Sequence, residues 1–255
     1  MHVKPVVHES LTSKAMFFSQ QDVQSRMHIL EPDALQFEYT RIMMGFLLHN
    51  PQPLNILMIG LGGGSLPKFC YRYLPHTKIT VVEINPHVIA LRDAFAIPPD
   101  NHRFGVQLAD AAEYVHTTNA RFDIVLADGF DVAGLPAALC TPEYYDACHQ
   151  LLNPGGLLAA NLHGFNMQFD VILSRIRSSF QGSLLTVKDP DATNRVAFAV
   201  KGDLHALQSL AGVRRPDGFD ECAWRELMPS MARVFLASRE LGRLKLDAFT
   251  HANAV

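Results

Sequence analysis

Short apolar runs alternate with helical patterns through the middle of this 255-residue chain. Residues 56–59 are apolar without interruption, which is typical of a strand buried on both faces of a sheet. Comparable strand-like runs follow at 78–83, 104–109, 122–127 and 156–162. The alternation predicts an α/β fold with a doubly wound, mostly parallel sheet and helices on both of its faces.

The segments on either side of this core have different patterns. Residues 6–30 contain short runs that predict a small antiparallel sheet, and residues 36–48 predict a helix leading into the first core strand. We therefore expect a small β element at 1–35 and a Rossmann-like domain at 36–255. Other expected elements are helices at 66–74, 88–95 and 141–153, a hairpin formed by 183–187 and 195–200, and amphipathic helix from about 203 onwards.

Composition and charge exclude several classes of protein. With 48% hydrophobic residues, the chain is too apolar for a disordered protein. Its 22 basic and 25 acidic residues give a formal charge of −3, so we expect neither nucleic acid nor a membrane as a partner. The longest apolar run is too short to cross a bilayer, and the twelve His residues form no metal-ligand pattern.

Cysteine usage bears on the compartment. The four Cys residues include no Cys-x-x-Cys pair, and in a chain of this size we expect them to be reduced thiols. The first residues lack the long apolar stretch of a signal peptide. We therefore expect a cytoplasmic protein that holds no metal.

A glycine-rich loop connects the first core strand to the helix that follows it. Its residues are Gly60, Leu61, Gly62, Gly63, Gly64 and Ser65. Glycines at such a position let the backbone turn sharply and approach a ligand closely. A dinucleotide-binding loop requires a further glycine where Ser65 stands, so the pattern argues against a nicotinamide cofactor.

Acidic residues end the next two strands of the predicted sheet. Glu83 follows Gly62 by 21 residues, and a carboxylate at this place can accept hydrogen bonds from ribose hydroxyls. Asp110, followed by Ala111, ends the third strand and is expected to face the base. A ligand with a nucleoside moiety, lying across the carboxyl ends of these strands, explains the glycine loop and both acids.

A pair of acids, Asp128 and Asp131, ends the fourth core strand. A carboxylate at the mouth of the same cleft can bind a cationic amine or accept its proton as the amine attacks an electrophile. In a simpler interpretation, Asp128 only caps the following turn. The place of the pair at the carboxyl edge of the sheet favours the functional interpretation.

Together these residues resemble the spermidine synthase (polyamine aminopropyltransferase) family over roughly residues 15–165. The glycine loop with Glu83 matches the family's loop and acidic strand end, and Asp110 with Ala111 matches its adenine-side acid. Asp128 and Asp131 match its Asp-x-x-Asp, while Gln24 and Tyr39 resemble its N-terminal Gln and its substrate-gate Tyr. The resemblance implies a seven-stranded sheet of the class I methyltransferase type, preceded by a small N-terminal β element.

That family moves an aminopropyl group from decarboxylated S-adenosylmethionine to an amine such as putrescine and releases methylthioadenosine. The resemblance implies that Asp128, Asp131 and Tyr39 are catalytic and that Asp128 takes up the proton of the attacking amine. It also implies a homodimer that acts on a small-molecule amine. The residues expected to bind the co-substrate are Gln24, Gly60, Gly62, Gly63, Gly64, Ser65, Glu83, Asp110 and Ala111.

Among the departures from the family pattern, two replace acidic residues of the expected active site. The family's glycine loop ends in Asp where this chain has Ser65, and its gate Tyr is followed by Gln-Glu or His-Glu where this chain has Thr40 and Arg41. Both changes remove negative charge, and an inward-pointing Arg41 would attract a carboxylate. Three functions therefore stay open: aminopropyl transfer, methyl transfer from ordinary S-adenosylmethionine on the same core, and nucleoside binding without catalysis.

Overall fold

The computed structural model describes residues 2–19, 23–131, 134–163, 168–191, 193–203, 205–208 and 212–252. The described strands are β1 (Val6–Glu9), β2 (Ser13–Phe17), β3 (Val23–His28), β4 (Asn55–Ile59), β5 (Lys78–Glu83), β6 (Phe104–Leu108), β7 (Phe122–Ala127), β8 (Leu152–His163), β9 (Leu184–Lys188) and β10 (Asn194–Val200). The described helices are α1 (Glu38–Met43), α2 (Ser65–Tyr73), α3 (Pro86–Ile89), α4 (Ala111–Thr117), α5 (Pro142–Leu151), α6 (Phe169–Ser179), α7 (His205–Gln208) and α8 (Glu221–Ala252). Short 3-10 segments lie at Met44–Leu48, Asp93–Phe95 and Ala137–Cys140.

The first three strands form an antiparallel sheet in chain order. Val6 pairs with Phe17 across β1 and β2, and Ser13 pairs with His28 across β2 and β3. The sheet is anchored by Met16, which is fully buried in the core of the molecule. The predicted antiparallel element is therefore present, and its third strand contacts α2, beside the glycine loop.

The seven remaining strands form one sheet in the order β6-β5-β4-β7-β8-β10-β9. Neighbouring strands from β6 to β8 are parallel, whereas β10 is antiparallel to both β8 and β9. The predicted doubly wound, mostly parallel seven-stranded sheet is confirmed. Because β5 and β7 flank β4 on opposite sides, the loops that follow β4 and β7 diverge and leave a cleft at the carboxyl edge of the sheet.

Two hydrophobic cores cover the faces of this sheet. In β4, Leu57 and Ile59 contact one core while Ile56 and Met58 contact the other, because successive side chains of a strand point to opposite faces. Helices α4, α5 and α6 contribute to the Leu57 core, and α1, α2 and α8 contribute to the Ile56 core. Burial on both faces explains why the core strands are apolar without alternation.

Local conformation changes two of the expected elements. The helix expected at 88–95 is divided into α3 and the 3-10 turn Asp93–Phe95, which ends at Ala96 in the left-handed conformation with φ of 52°. Strand β8 begins at Leu152, within the segment expected to end α5. Helices α4 and α6 form in addition to the predicted ones.

The C-terminal part is helical over less of its length than expected. Residues 212–220 are not helical, and Phe219 from this segment packs on Phe69 and Tyr73 of α2 with ring centroids 5.7 and 5.0 Å apart. This aromatic contact favours an irregular connection ahead of α8. Across the part of the chain that the structure describes, no helix has the length and apolar character to span a membrane.

Asp123 connects three strands at the edge of the sheet opposite the cleft. Its Oδ2 accepts hydrogen bonds from the backbone N–H groups of Leu54 and Asn55 at 2.7 and 3.0 Å, and its Oδ1 accepts one from Asn153 Nδ2 at 2.7 Å. One carboxylate at the start of β7 therefore ties down the starts of β4 and β8.

Replacing Asp123 with Ala removes the acceptor for all three donors, so we expect Asp123→Ala to lower the free energy of unfolding by about 1–3 kcal/mol. Urea denaturation measures this difference. Asp146→Ala, at an exposed position on α5, is the control and should change the free energy by less than about 0.5 kcal/mol. Equal decreases in the free energy of unfolding of the two variants would contradict the connecting role of Asp123.

Candidate active site

A cavity of about 370 Å³ lies at the carboxyl edge of the main sheet, between the glycine loop and the N-terminal strands. Its size is typical of small-molecule binding sites. The fold brings most of the predicted site residues into its wall, although they come from elements far apart in the chain. These wall residues are Gln24, Tyr39, Gly60, Gly62, Ser65, Glu83, Asp110, Ala111, Asp128 and Asp131.

The glycine loop passes so close to the end of β7 that a side chain at Gly60 would not fit. A Cβ on Gly60 would lie 2.5 Å from the backbone oxygen of Asp128, and Gly60 has a φ of 91°. Its N–H donates to the carbonyl of Val82, while the N–H of Asp128 donates to the carbonyl of Ile59. The ends of β4, β5 and β7 are therefore fixed to one another at the cavity.

Two of the predicted co-substrate residues, Gly63 and Gly64, do not belong to the described cavity wall. A Cβ on Gly63 would lie 2.8 Å from a ring atom of Phe95, and a Cβ on Gly64 would lie 2.5 Å from Ile97. Gly64 also has a φ of 71°. These glycines let the loop pack closely against Ser25 of β3 and against residues 95–97.

Glu83 ends β5 with both carboxylate oxygens held by the backbone. Its Oε2 accepts a hydrogen bond from Leu61 N–H at 2.9 Å, and its Oε1 accepts one from Asn85 N–H at 2.8 Å. Each oxygen of a carboxylate can accept a further hydrogen bond. Glu83 is thus a rigid acceptor beside the glycine loop.

Asp110 has a structural role at the start of α4. It is the N-cap of α4, and its Oδ1 accepts a hydrogen bond from Ala112 N–H at 2.8 Å. The residue is exposed and faces the same cavity as Glu83. The cap fixes the carboxylate at the rim next to Ala111.

Asp128 is held by two long-range hydrogen bonds. Tyr39, from α1, donates its hydroxyl to Asp128 Oδ2 at 3.2 Å, and Asn161, from β8, donates Nδ2 to Asp128 Oδ1 at 2.9 Å. These partners lie 89 and 33 residues away in the sequence. The side chain is therefore held by distant elements, which the simple turn-cap interpretation does not require.

The surroundings of Asp128 change its acidity. Burial raises the pKa of Asp128 to about 6, and the hydrogen bonds from Asn161 and Tyr39 oppose this rise because they favour the charged form. Burial, together with the nearby Asp128 charge, raises the pKa of Tyr39 well above its ordinary value, so its hydroxyl stays protonated and donates. A carboxylate with this pKa is mostly ionised at pH 7 and can take up a proton.

Asn161 was not among the predicted site residues. It is buried in β8, where it is the polar residue in the run 157–162. A lone amide in this otherwise apolar run is the sequence signal that could have identified it. Its partner could not be identified in this way, because the contact depends on the register between β7 and β8.

Arg41 does not have the inward orientation considered from the sequence. Its Nη1 donates to Glu38 Oε2 at 3.2 Å, and Ser230 of α8 donates to Glu38 Oε1 at 2.6 Å. Arg41 is absent from the described cavity wall. The reason is the helical spacing of three residues, which places Arg41 beside Glu38.

The charge of the cavity wall has one dominant sign. Its acids are Glu83, Asp110, Asp128 and Asp131, and its described part contains neither Lys nor Arg. Such a wall attracts cations. Among the described residues, no group of three or more His, Cys, Asp or Glu side chains is arranged to hold a metal ion.

Comparisons with known proteins agree with this geometry. A family model of the spermine/spermidine synthase domain matches residues 36–182. A polyamine aminopropyltransferase from Chromobacterium violaceum is 35% identical over 182 residues, which cover 71% of this chain and 69% of that protein.

Among solved structures, the chain is similar to a probable spermidine synthase from Corynebacterium glutamicum, with a TM-score of 0.68 and 20% identity over 89% of this chain and 91% of that one. It is also similar to human methyltransferase-like protein 13, with a TM-score of 0.59 and 21% identity over 78% of this chain and 92% of that one. These structural similarities show a shared fold.

The close approach at Gly60 can be tested by adding one methyl group. We expect Gly60→Ala to lower the free energy of unfolding by about 2 kcal/mol or more, since alanine is strained at this φ and its Cβ meets the Asp128 carbonyl. Gly105→Ala in β6 is the matched control, because a Cβ there has no neighbour within 4 Å. Similar stability of both variants in urea denaturation would refute the constraint.

The raised pKa of Asp128 predicts a stability that depends on pH. Protonation stabilises the folded state, because Asp128 has a pKa of about 6 there and about 3.9 in an unfolded chain. Wild type therefore loses this stability as the pH rises from about 4 through 6, whereas an Asn at this position does not titrate.

We subtract the free energy of unfolding of wild type from that of Asp128→Asn at each pH. We expect this difference to increase by about 2 kcal/mol between pH 4 and pH 7. Urea denaturation at several pH values measures this difference, with Asp146→Asn as the exposed control. A difference that stays flat or falls with increasing pH would show that the Asp128 pKa is not raised.

Proposed function

This chain belongs to the spermine/spermidine synthase family, and we propose that it transfers an aminopropyl group from decarboxylated S-adenosylmethionine to a small amine, releasing methylthioadenosine. It is a transferase, as are the polyamine aminopropyltransferases that it resembles.

The observation that carries this proposal is the position of Asp128. Its carboxylate is fixed in the wall of the cavity by Tyr39 and Asn161, and its pKa of about 6 is raised by burial. A primary amine is mostly protonated near neutral pH and must lose a proton to become a nucleophile. Asp128 is suited to bind the ammonium form and to accept that proton.

The proposed step is a direct displacement. The lone pair of the amine nitrogen forms a C–N bond to the aminopropyl carbon, while the C–S bond breaks and its electron pair neutralises the sulfonium. Asp128 accepts one proton from the ammonium form, which frees this lone pair, and the product nitrogen leaves as a secondary ammonium. Because a sulfonium is already a good leaving group, the protein contributes mainly alignment and a neutral amine. We assign Tyr39 to hold Asp128, and Asp131 to bind amine or ammonium groups at the same wall.

The nucleoside end of the co-substrate fits the other side of the cavity. Glu83 is placed to accept hydrogen bonds from the ribose hydroxyls, and Asp110 with Ala111 is placed beside the base. Further wall positions for the co-substrate are Gln24, Gly60, Gly62 and Ser65. Gly63 and Gly64 contribute indirectly, through the shape of the loop.

The charge of the wall favours the decarboxylated co-substrate over ordinary S-adenosylmethionine. The carboxylate of the ordinary form would find no Lys or Arg partner in the described wall and would face its acids. Arg41, which could have supplied that partner, is paired with Glu38. Methyl transfer is for this reason the less favoured alternative.

Three expectations about the whole protein stay predictions. They are the division into a β element at 1–35 and a catalytic domain at 36–255, the homodimer, and the cytoplasmic location. Each follows from the sequence or from the resemblance.

Product analysis by mass spectrometry tests the proposal. The purified protein is incubated with decarboxylated S-adenosylmethionine and, in parallel, with S-adenosylmethionine, each against putrescine, cadaverine, spermidine and agmatine. We expect methylthioadenosine release that depends on an amine, and a fall in its rate of at least about 100-fold in Asp128→Asn, which lacks the proton acceptor.

Asp146→Asn on α5 is the control and should keep the wild-type rate. Release of S-adenosylhomocysteine from S-adenosylmethionine would instead establish methyl transfer. If none of the amines yields methylthioadenosine with wild type, the proposed function is wrong.

A further inference from the structure

The amide of Asn161 contacts Asp128 from outside the wall of the main cavity. Asn161 is 4% exposed and lies outside the wall of the main cavity, beside a small space that Tyr144 also lines. Its position is fixed by the sheet, because Asn161 in β8 pairs with Val196 of β10. What it contacts on the cavity side is Asp128 Oδ1, at 2.9 Å.

Packing and stability do not explain an asparagine at this position. Its neighbours in β8, Ala160 and Leu162, are buried and apolar. A carboxylate offers only acceptors, so the Nδ2 of Asn161 must face Asp128 and its Oδ1 must point the other way. No group in the described part of the chain donates a hydrogen bond to this buried Oδ1. An apolar side chain would avoid the cost of an unsatisfied acceptor.

What the asparagine does provide is a hydrogen bond that affects the orientation and the charge state of the Asp128 carboxylate. Tyr39 holds one carboxylate oxygen and Asn161 holds the other, so the carboxylate cannot rotate freely. A hydrogen bond donated to the charged form favours that form. Without Asn161, burial would keep Asp128 protonated up to a higher pH.

We propose that Asn161 is a positioning residue for the transfer reaction, which keeps the Asp128 carboxylate ionised and oriented towards the attacking amine without touching the substrate. The inference rests on the proposed function, since it assigns a partner to the proton acceptor named there. It predicts that loss of the amide changes the acidity of Asp128 as well as the rate.

The same two strands contain a matched control at the opposite end of the sheet. There Asn153 of β8 donates its Nδ2 to Asp123 Oδ1 of β7, at 2.7 Å. Both contacts join an Asn of β8 to an Asp, Asp123 within β7 and Asp128 directly after it, and only the Asn161 contact lies at the cavity. Asn153→Leu therefore reproduces the loss of an amide from β8 without disturbing Asp128.

The first measurement is the titration of Asp128 in the full chain. It is monitored by ¹³C NMR of a sample with labelled Asp, and the Asp128 signal is assigned as the one that Asp128→Asn removes. We expect Asn161→Leu to raise the titration midpoint of Asp128 by roughly one pH unit, and Asn153→Leu to leave it unchanged. The other titratable groups of the cavity wall are His2, Tyr39, Glu83, Asp110 and Asp131, and they are the same in both variants.

The second measurement is kcat for methylthioadenosine release at saturating substrates. A one-unit rise predicts that the ratio of Asn161→Leu to wild-type kcat is about fivefold lower at pH 6 than at pH 9, because a smaller share of Asp128 is ionised at the lower pH. The ratio for Asn153→Leu should be the same at both pH values. Asn161→Ala replaces Asn161→Leu if the larger side chain prevents folding.

The outcomes separate this inference from the proposed function. An unchanged Asp128 midpoint in Asn161→Leu or Asn161→Ala, or an equal shift in Asn153→Leu, overturns the positioning role even when wild type is active. Absence of methylthioadenosine from wild type overturns the function, whatever the titration shows. A midpoint shift confined to the Asn161 variants, with the pH-dependent loss of kcat, supports the inference.

Discussion

The ends of β4 and β7 meet where Gly60 passes the backbone of Asp128, and the arrangement of the cavity depends on this contact. A side chain at Gly60 would lie 2.5 Å from the Asp128 carbonyl oxygen, so the two strand ends can stay this close only with glycine. The hydrogen bond from Asp128 N–H to Ile59 continues the ladder to the end of both strands. The Asp128 side chain thus leaves the sheet at a fixed point, within reach of Tyr39 and Asn161.

A partly desolvated carboxylate is costly for a folded protein, and the surroundings of Asp128 offset only part of that cost. Two donors hold the carboxylate, yet its pKa remains raised to about 6. The described wall supplies further acids and neither Lys nor Arg to balance them. A cationic amine and a cationic co-substrate would provide the missing positive charge, which links the unfavourable electrostatics of the free protein to the ligands proposed for it.

Much of the fold could be predicted from the sequence, because buried parallel strands have a pattern that is visible locally. The strands β5 and β7 begin and end where the strand-like runs of the sequence do. The predictions were less accurate where distant residues decide the conformation. Residues 212–220 carry no sign of their contact with α2, and Phe219 reaches Phe69 and Tyr73 from about 150 positions further along the chain.

The sequence by itself determined the glycine loop and the acids at the ends of successive strands, because such residues act through backbone geometry and spacing that the chain shows directly. The rule that parallel strands end at one edge of a sheet was enough to predict that Glu83, Asp110 and Asp128 lie at one cavity. Only the tertiary structure decided that Asn161 contacts Asp128, and that Arg41 pairs with Glu38 away from the cavity. The orientation of a side chain depends on strand register and on helix packing, which join residues that no local pattern connects.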